Sequence, residues 1–171
     1  MSLALCWFLP LAMLAAPRSD TPRPQAGEVF DLKGLKKEDL GKLRFFAADP
    51  AQAIMPAGAE ALDLTDPSFQ AKPLRLRNMI LGGGATQCYL VRIPAGAQLQ
   101  AEIDNPHLRV KAFRAEIRQR RGDPGARHPL QLAFRATYEN RGPGPVDVIC
   151  QVHSREVHGQ EDYTLTVSQV R

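Results

Sequence analysis

From Leu74 onward, apolar and polar residues alternate in short runs separated by Gly, Pro and Asn. A period of two marks a half-buried strand, because successive side chains point to opposite faces. "LRLRNMI" sets Leu74 and Leu76 inward and Arg75 and Arg77 outward. "CYLVRI" aligns Tyr89, Val91 and Ile93. "QLQAEI" sets Leu99, Ala101 and Ile103 against Gln98, Gln100 and Glu102. "HLRVKAFRAEI" begins with Leu108 and Val110 inward and changes phase near Ala112 and Phe113. A β-bulge accounts for such a shift, and a helical stretch competes with it. "LQLAFRATYE" aligns Leu130, Leu132, Phe134, Ala136 and Tyr138. "VDVICQV" aligns Val146, Val148, Cys150 and Val152. "DYTLTVSQV" sets Tyr163, Leu165 and Val167 against Thr164, Thr166 and Ser168. About seven strands with tight turns predict an all-β domain over 74–171, an antiparallel β-sandwich or jelly roll. No helix of crossover length separates the runs, which argues against a doubly wound parallel sheet.

Upstream the pattern is weaker. "TPRPQ" at Thr21–Gln25 reads as an extended linker. A brief strand is expected at Glu28–Leu32, then one short helix over Lys36–Leu43, ended by Asp49-Pro50. Prolines at 50, 56, 67 and 73 make residues 50–73 an irregular stretch, apolar enough to cover the main domain. Segment 21–73 is therefore a linker and covering segment. Residues 1–20 carry an apolar run from Leu3 to Ala16, shorter than the roughly 20 residues a membrane span needs. That length suits a secretory signal, with an uncleaved N-terminal anchor as the alternative, although no Lys or Arg precedes the run. Export to the periplasm or the medium is the expected localisation. Membrane contact is expected only through this segment, if it is retained.

Composition supports a folded domain: 44% of the 171 residues are hydrophobic. The formal net charge is +4, and it is unevenly placed. Between Asp104 and Arg141 stand nine Lys or Arg and four Asp or Glu. Arg109, Lys111, Arg114, Arg118, Arg120, Arg121 and Arg127 form a basic region suited to an anionic partner, or simply a solvated face. Aromatic residues are not interleaved with these arginines, which disfavours nucleic acid.

Few residues invite chemistry. In an oxidising compartment Cys88 and Cys150, left after removal of Cys6, read as one disulfide, with two buried thiols as the alternative. Cys88, Cys150, His153 and His158 are the available zinc set, but His153 and His158 lack a spacing that puts them on one strand face. His107 and His128, each beside a proline, read as turn residues. Asp63, Asp66, Glu161 and Asp162 make no calcium loop. Ser154 neighbours His153, yet adjacent strand residues point apart, and no Gly-x-Ser-x-Gly is present. A hydrolase built on His153, Glu156 and His158 ranks last among the readings. "GGGAT" at Gly82–Thr86 lacks the lysine of a phosphate loop. No cofactor is implied.

Tyr89 leads into "PAGAQLQAEI", with Ala95, Gly96 and Leu99, and Tyr163, Leu165 and Val167 close the chain in "DYTLTV". On these positions residues 86–168 resemble the bacterial pre-peptidase C-terminal domain. The resemblance implies a non-catalytic β-sandwich of exported bacterial proteins, whose relatives accompany secreted peptidases and in some cases bind calcium or insoluble polymers. The chain departs from that family in its basic "NPHLRVKAFRAEI", where an Asp-bearing strand is usual. The expected role is thus a non-catalytic binding or structural protein of the envelope, meeting a polymer or a secreted protein. The alternative is an accessory or inhibitory module acting with a secreted peptidase or other hydrolase.

Overall fold

The computed structural model describes residues 22–49, 55, 58–115, 134–154 and 159–170. The N-terminal apolar run and its signal or anchor reading lie outside these residues. The elements are β1 (Val29–Asp31), α1 (Lys37–Leu40), β2 (Phe46–Asp49), β3 (Leu62–Asp63), α2 (Ser68–Ala71), β4 (Leu74–Leu81), β5 (Thr86–Ile93), β6 (Gln98–Ile103), β7 (Leu108–Arg114), β8 (Arg135–Glu139), β9 (Val146–Ser154) and β10 (Gln160–Val170). No helix among the described residues is long and apolar enough to cross a membrane.

Two sheets pack face to face. The front sheet has the order β1-β4-β10-β6-β8, and the back sheet has β2-β5-β9-β7, with β3 also on β5. From β4 to β10 the chain changes sheet at every step. The antiparallel pairings are nested: β4 with β10, β5 with β9, β6 with β8. This is the jelly-roll arrangement, a long hairpin wound into two layers. The seven alternating runs are these seven strands. Between β4 and β5 the chain turns through Gly83 and Gly84 at φ of 79° and 87°, a left-handed conformation that glycine adopts without strain.

Alternation works as expected at the core. Leu74, Leu76, Tyr89, Val91, Ile93, Leu99, Ala101, Leu108, Val110, Val148, Cys150, Val152, Leu165 and Val167 are all buried between the sheets. Two expectations need correction. β7 carries no bulge: its register runs unbroken from Leu108 opposite Ser154 to Arg114 opposite Val148. The apparent phase shift arises because Phe113 packs on the other side of the back sheet, in a second apolar cluster. Phe134 is 47% exposed instead of buried, with the Arg109 guanidinium 4.1 Å from its ring centre. Residues 130–133 of that run lie outside the described residues.

The upstream segment does more than cover. β1 adds in parallel to β4, β2 adds antiparallel to β5, and β3 adds in parallel to β5. Leu32, Leu43, Phe45 and Leu64 enter the main core. The expected strand and short helix are both present, as β1 and α1. Asn140 is buried and joins two turns, donating from Nδ2 to the Pro94 and Gly144 carbonyls and accepting from the Gly142 amide.

Candidate functional site

The inner faces of the two sheets are filled, so any site must lie on an outer face, at an edge, or in the buried polar groups. Four of the buried polar side chains form one closed circuit, while Asn140, Gln151 and Ser154 are buried outside it, Gln151 Oε1 and Ser154 Oγ without a hydrogen-bond partner among the described residues. Asn78 on the front sheet sits opposite Tyr163, while Gln87 and Tyr89 reach in from the back sheet. Asn78 Nδ2 donates to Tyr89 Oη (2.8 Å) and to Gln87 Oε1 (3.2 Å). Tyr89 and Tyr163 share a hydroxyl contact at 2.5 Å, and Tyr163 Oη donates to Gln87 Oε1. Since the Tyr163 proton goes to Gln87, Tyr89 must donate to Tyr163. Gln87 Nε2 donates to the Met79 carbonyl, and the Met79 amide donates to Asn78 Oδ1, both at 2.8 Å. Each of the four side chains in the circuit is hydrogen-bonded and none is more than 8% exposed. This is a device that locks the two sheets in register, not a surface for a ligand.

The outer face of the back sheet is covered at its centre. Cys88, Leu90, Ala115 and Ile149 are buried there under Met55, Ala59, Ala61 and Phe113. Of the basic set, Arg109 and Lys111 belong to this face, opposite His153 and Gln151, whereas Arg114 falls on the other face, opposite Val148. Arg109 is already committed: it stacks on Phe134 and donates to the Pro106 and Leu108 carbonyls. Arg118, Arg120, Arg121 and Arg127 lie outside the described residues.

The structure contradicts the expected disulfide. No bond joins Cys88 and Cys150. Cys88 is opposite Gln151 and Cys150 is opposite Tyr89, so the two side chains leave opposite faces of the same sheet. Cys150 is in the main core and Cys88 in the second cluster. Bonding needs Cβ atoms about 3.5–4.5 Å apart and facing each other, which this arrangement forbids. The same geometry dissolves the zinc set: Cys150 cannot share a ligand sphere with Cys88 and His153, and His158 lies outside the described residues. His153 Nδ1 instead meets Thr86 Oγ1 at 3.2 Å. Among the described residues no three His, Cys, Asp or Glu gather into a metal site. Burial pushes the Cys150 thiol up to about 12, and Cys88 adds to the effect. A peptide map of non-reduced protein is therefore expected to show no Cys88–Cys150 link. Cys150 should resist alkylation at pH 8 until the chain is unfolded; rapid labelling of folded protein would contradict its placement.

The other chemical candidates are also used locally. Asp63 accepts from the Thr65 amide and hydroxyl, Asp66 from the Ser68 amide, Glu161 from Asn105, and Asp162 pairs with Lys33. Ser154 Oγ is buried in the sandwich while His153 points out of it, so the two form no nucleophile–base pair. Glu156 lies outside the described residues. A cleft of about 560 Å³ beside β3 mixes Arg23, Lys42 and Arg44 with Glu60, Asp63 and Asp66.

No family model matches the chain, and no curated protein and no solved structure matches it.

The front sheet's outer face is different in kind. Its registers form rows across the strands: Val29–Arg75–Thr166–Glu102–Arg135, Asp31–Arg77–Thr164, Ser168–Gln100–Thr137 and Val170–Gln98–Glu139. All of these side chains are exposed or half-buried. Hydroxyls and amides fill the centre of the face, and charges lie towards its sides. The carboxylates are matched. Glu102 pairs with Arg135 at 2.5 Å, Glu139 with Arg141 at 2.7 Å, and Asp31 accepts from the Lys33 and Gly34 amides. Arg75 and Arg77 are not: neither enters an ion pair or a side-chain hydrogen bond among the described residues. The sequence signal for this face is plain in hindsight. "LRLR" and "YTLTVS" carry its residues as the outward half of each alternation, and the denser run of arginines lies further along the chain.

Proposed function

We propose that this chain is a non-catalytic binding module, exported to the bacterial envelope or the medium, that recognises its partner through the outer face of the front sheet. One observation carries the reading: apart from Val29 and Val170 at its margins this five-stranded face is polar, and Thr164, Thr166, Ser168, Arg75 and Arg77 lie open on it, whereas the centre of the opposite outer face is covered. A flat array of Thr, Ser, Gln and Arg favours recognition over chemistry. It offers donors and acceptors on strands, and its described residues present an open surface to solvent. The resemblance of residues 86–168 to the pre-peptidase C-terminal domain supports a non-catalytic role, and the apolar N-terminal run supports export. Of the basic region read from sequence, the part on β7 is a weaker candidate because the strand's alternation divides Arg109 and Lys111 from Arg114; its other arginines lie outside the described residues.

Co-sedimentation with insoluble envelope polymer tests the proposal. Wild-type protein should pellet with the polymer. A Thr166→Glu/Ser168→Glu variant with unchanged melting should stay in solution, and Lys111→Gln on the back sheet should behave as wild type. Failure of wild-type protein to pellet, or pelleting that survives the front-face change but not the back-face one, would sink the assignment.

A further inference from the structure

The balance of charge on the front face goes further than recognition in general. Resting on the reading above, we propose that its ligand is an extended polysaccharide bearing carboxylates, gripped at Arg75 and Arg77 and running along β4 and β10 over Thr164, Thr166 and Ser168.

Two features of the face argue for this ligand. The first is the unmatched positive charge. Glu102, Glu139 and Asp162 are each paired with a cation, whereas Asp31, opposite Arg77, keeps its charge and accepts from the Lys33 and Gly34 amides without pairing with the arginine. Arg75 and Arg77 share one side of β4, about 7 Å apart at two residues of strand rise. They are exposed, and no side chain among the described residues occupies their donors. A guanidinium fork matches a carboxylate in two parallel hydrogen bonds. Two such forks at this spacing suit a polymer that repeats its charge, not a single small anion.

The second is the chemistry beside them. Thr166 lies directly opposite Arg75, and Thr164 opposite Arg77, on the central strand β10. Ser168 follows on the same face, with Gln100 opposite it on β6 and Thr137 beyond on β8. Hydroxyls and primary amides both donate and accept, so they complement the hydroxyls of a sugar ring.

Nucleic acid is the competing polyanion. It gains much of its affinity for single-strand binders from bases stacked on aromatic rings. The rows of the front face contain no aromatic residue, since Tyr163 and Tyr138 point into the core.

Equilibrium binding of the full chain to immobilised polygalacturonate tests the proposal, with its methyl ester and a single-stranded DNA as comparators. Polygalacturonate should bind at least about tenfold more tightly than either comparator. Arg75→Gln/Arg77→Gln should weaken polygalacturonate binding about tenfold or more and flatten its salt dependence, with melting unchanged. Thr164→Val/Thr166→Val should weaken it several-fold without changing the salt slope. Equal binding of the ester, lost in the threonine variant but not the arginine variant, would overturn the acidic ligand while leaving the front face as the site. Tighter binding of DNA through Arg75 and Arg77 would overturn the polysaccharide in the same way. Failure of polygalacturonate to bind, or binding indifferent to every front-face change, would overturn this proposal. If co-sedimentation with envelope polymer were also indifferent to the front face, the broader reading would fall with it.

Discussion

Gln87→Leu is expected to lower the free energy of unfolding by about 3–5 kcal/mol, a large share of the roughly 5–15 kcal/mol available to a domain. The side chain is one of the few polar groups in the core, and three bonds depend on it. Its Oε1 accepts from Tyr163 and Asn78, and its Nε2 satisfies the Met79 carbonyl. Leucine would leave those partners buried without replacement, and each orphaned group costs about 1–3 kcal/mol. Melting should fall by roughly 10 °C for a chain of this size. Tyr163→Phe should cost less, about 1–2 kcal/mol, because Gln87 keeps Asn78 as a donor. Together the two changes should cost less than their sum, as expected for members of one circuit. Urea titration of the three variants decides the matter. A Gln87→Leu loss below about 1 kcal/mol would show that the circuit does not hold the sheets together.

Alkaline pH should unfold the protein by a related route. Three neutral acids are sealed in the core: Tyr89, Tyr163 and Cys150. Burial raises all three above their ordinary values; beside Tyr163 the neighbouring Tyr89 raises it further, and beside Cys150 the thiol of Cys88 does the same. A raised acid keeps its proton in the folded state while the unfolded chain gives it up. The folded state therefore binds more protons, and stability falls as pH rises. For Cys150 the stabilising contribution is complete below the ordinary value of 9.0 and is lost progressively as pH rises to about 12. A gap of that size corresponds to about 4 kcal/mol once both states are ionised. The tyrosines begin to contribute in the same sense from their ordinary value of 10.0. The urea midpoint should thus be flat to about pH 8.5 and fall steeply beyond it. Cys150→Ala should shift the onset towards the tyrosine range. A midpoint unchanged to pH 11 would contradict the burial of these groups.

Much of the candidate site was present in the sequence as outward positions. Arg75, Arg77, Thr164, Thr166 and Ser168 are the polar half of two alternations that correctly named the inward half. What the sequence did not reveal was that these positions share one open face. That depends on β4 and β10 being neighbours, although their residues are far apart in the chain. Whether an arginine is committed is likewise a tertiary matter. Arg109 and Arg75 look alike in sequence, yet one stacks on Phe134 and the other faces solvent.

The seven strands from β4 to β10 and the inward residues of most of them follow from the sequence alone, because the two-residue period is local and the apolar half must leave water, whereas β2 and β3 are too short to show a period. The cysteines mark the limit of that reasoning. Alternation correctly set Cys150 beside Val148 and Val152 on the inward side and set Cys88 out of phase with Tyr89 and Val91. The register of β5 against β9 decided the rest, bringing Tyr89 opposite Cys150 and leaving Cys88 on the far face. Periodicity within a strand determines which side a residue takes. Only pairing between distant strands determines what it meets there, since that choice is made by packing across the whole sandwich and not by any neighbour in the chain.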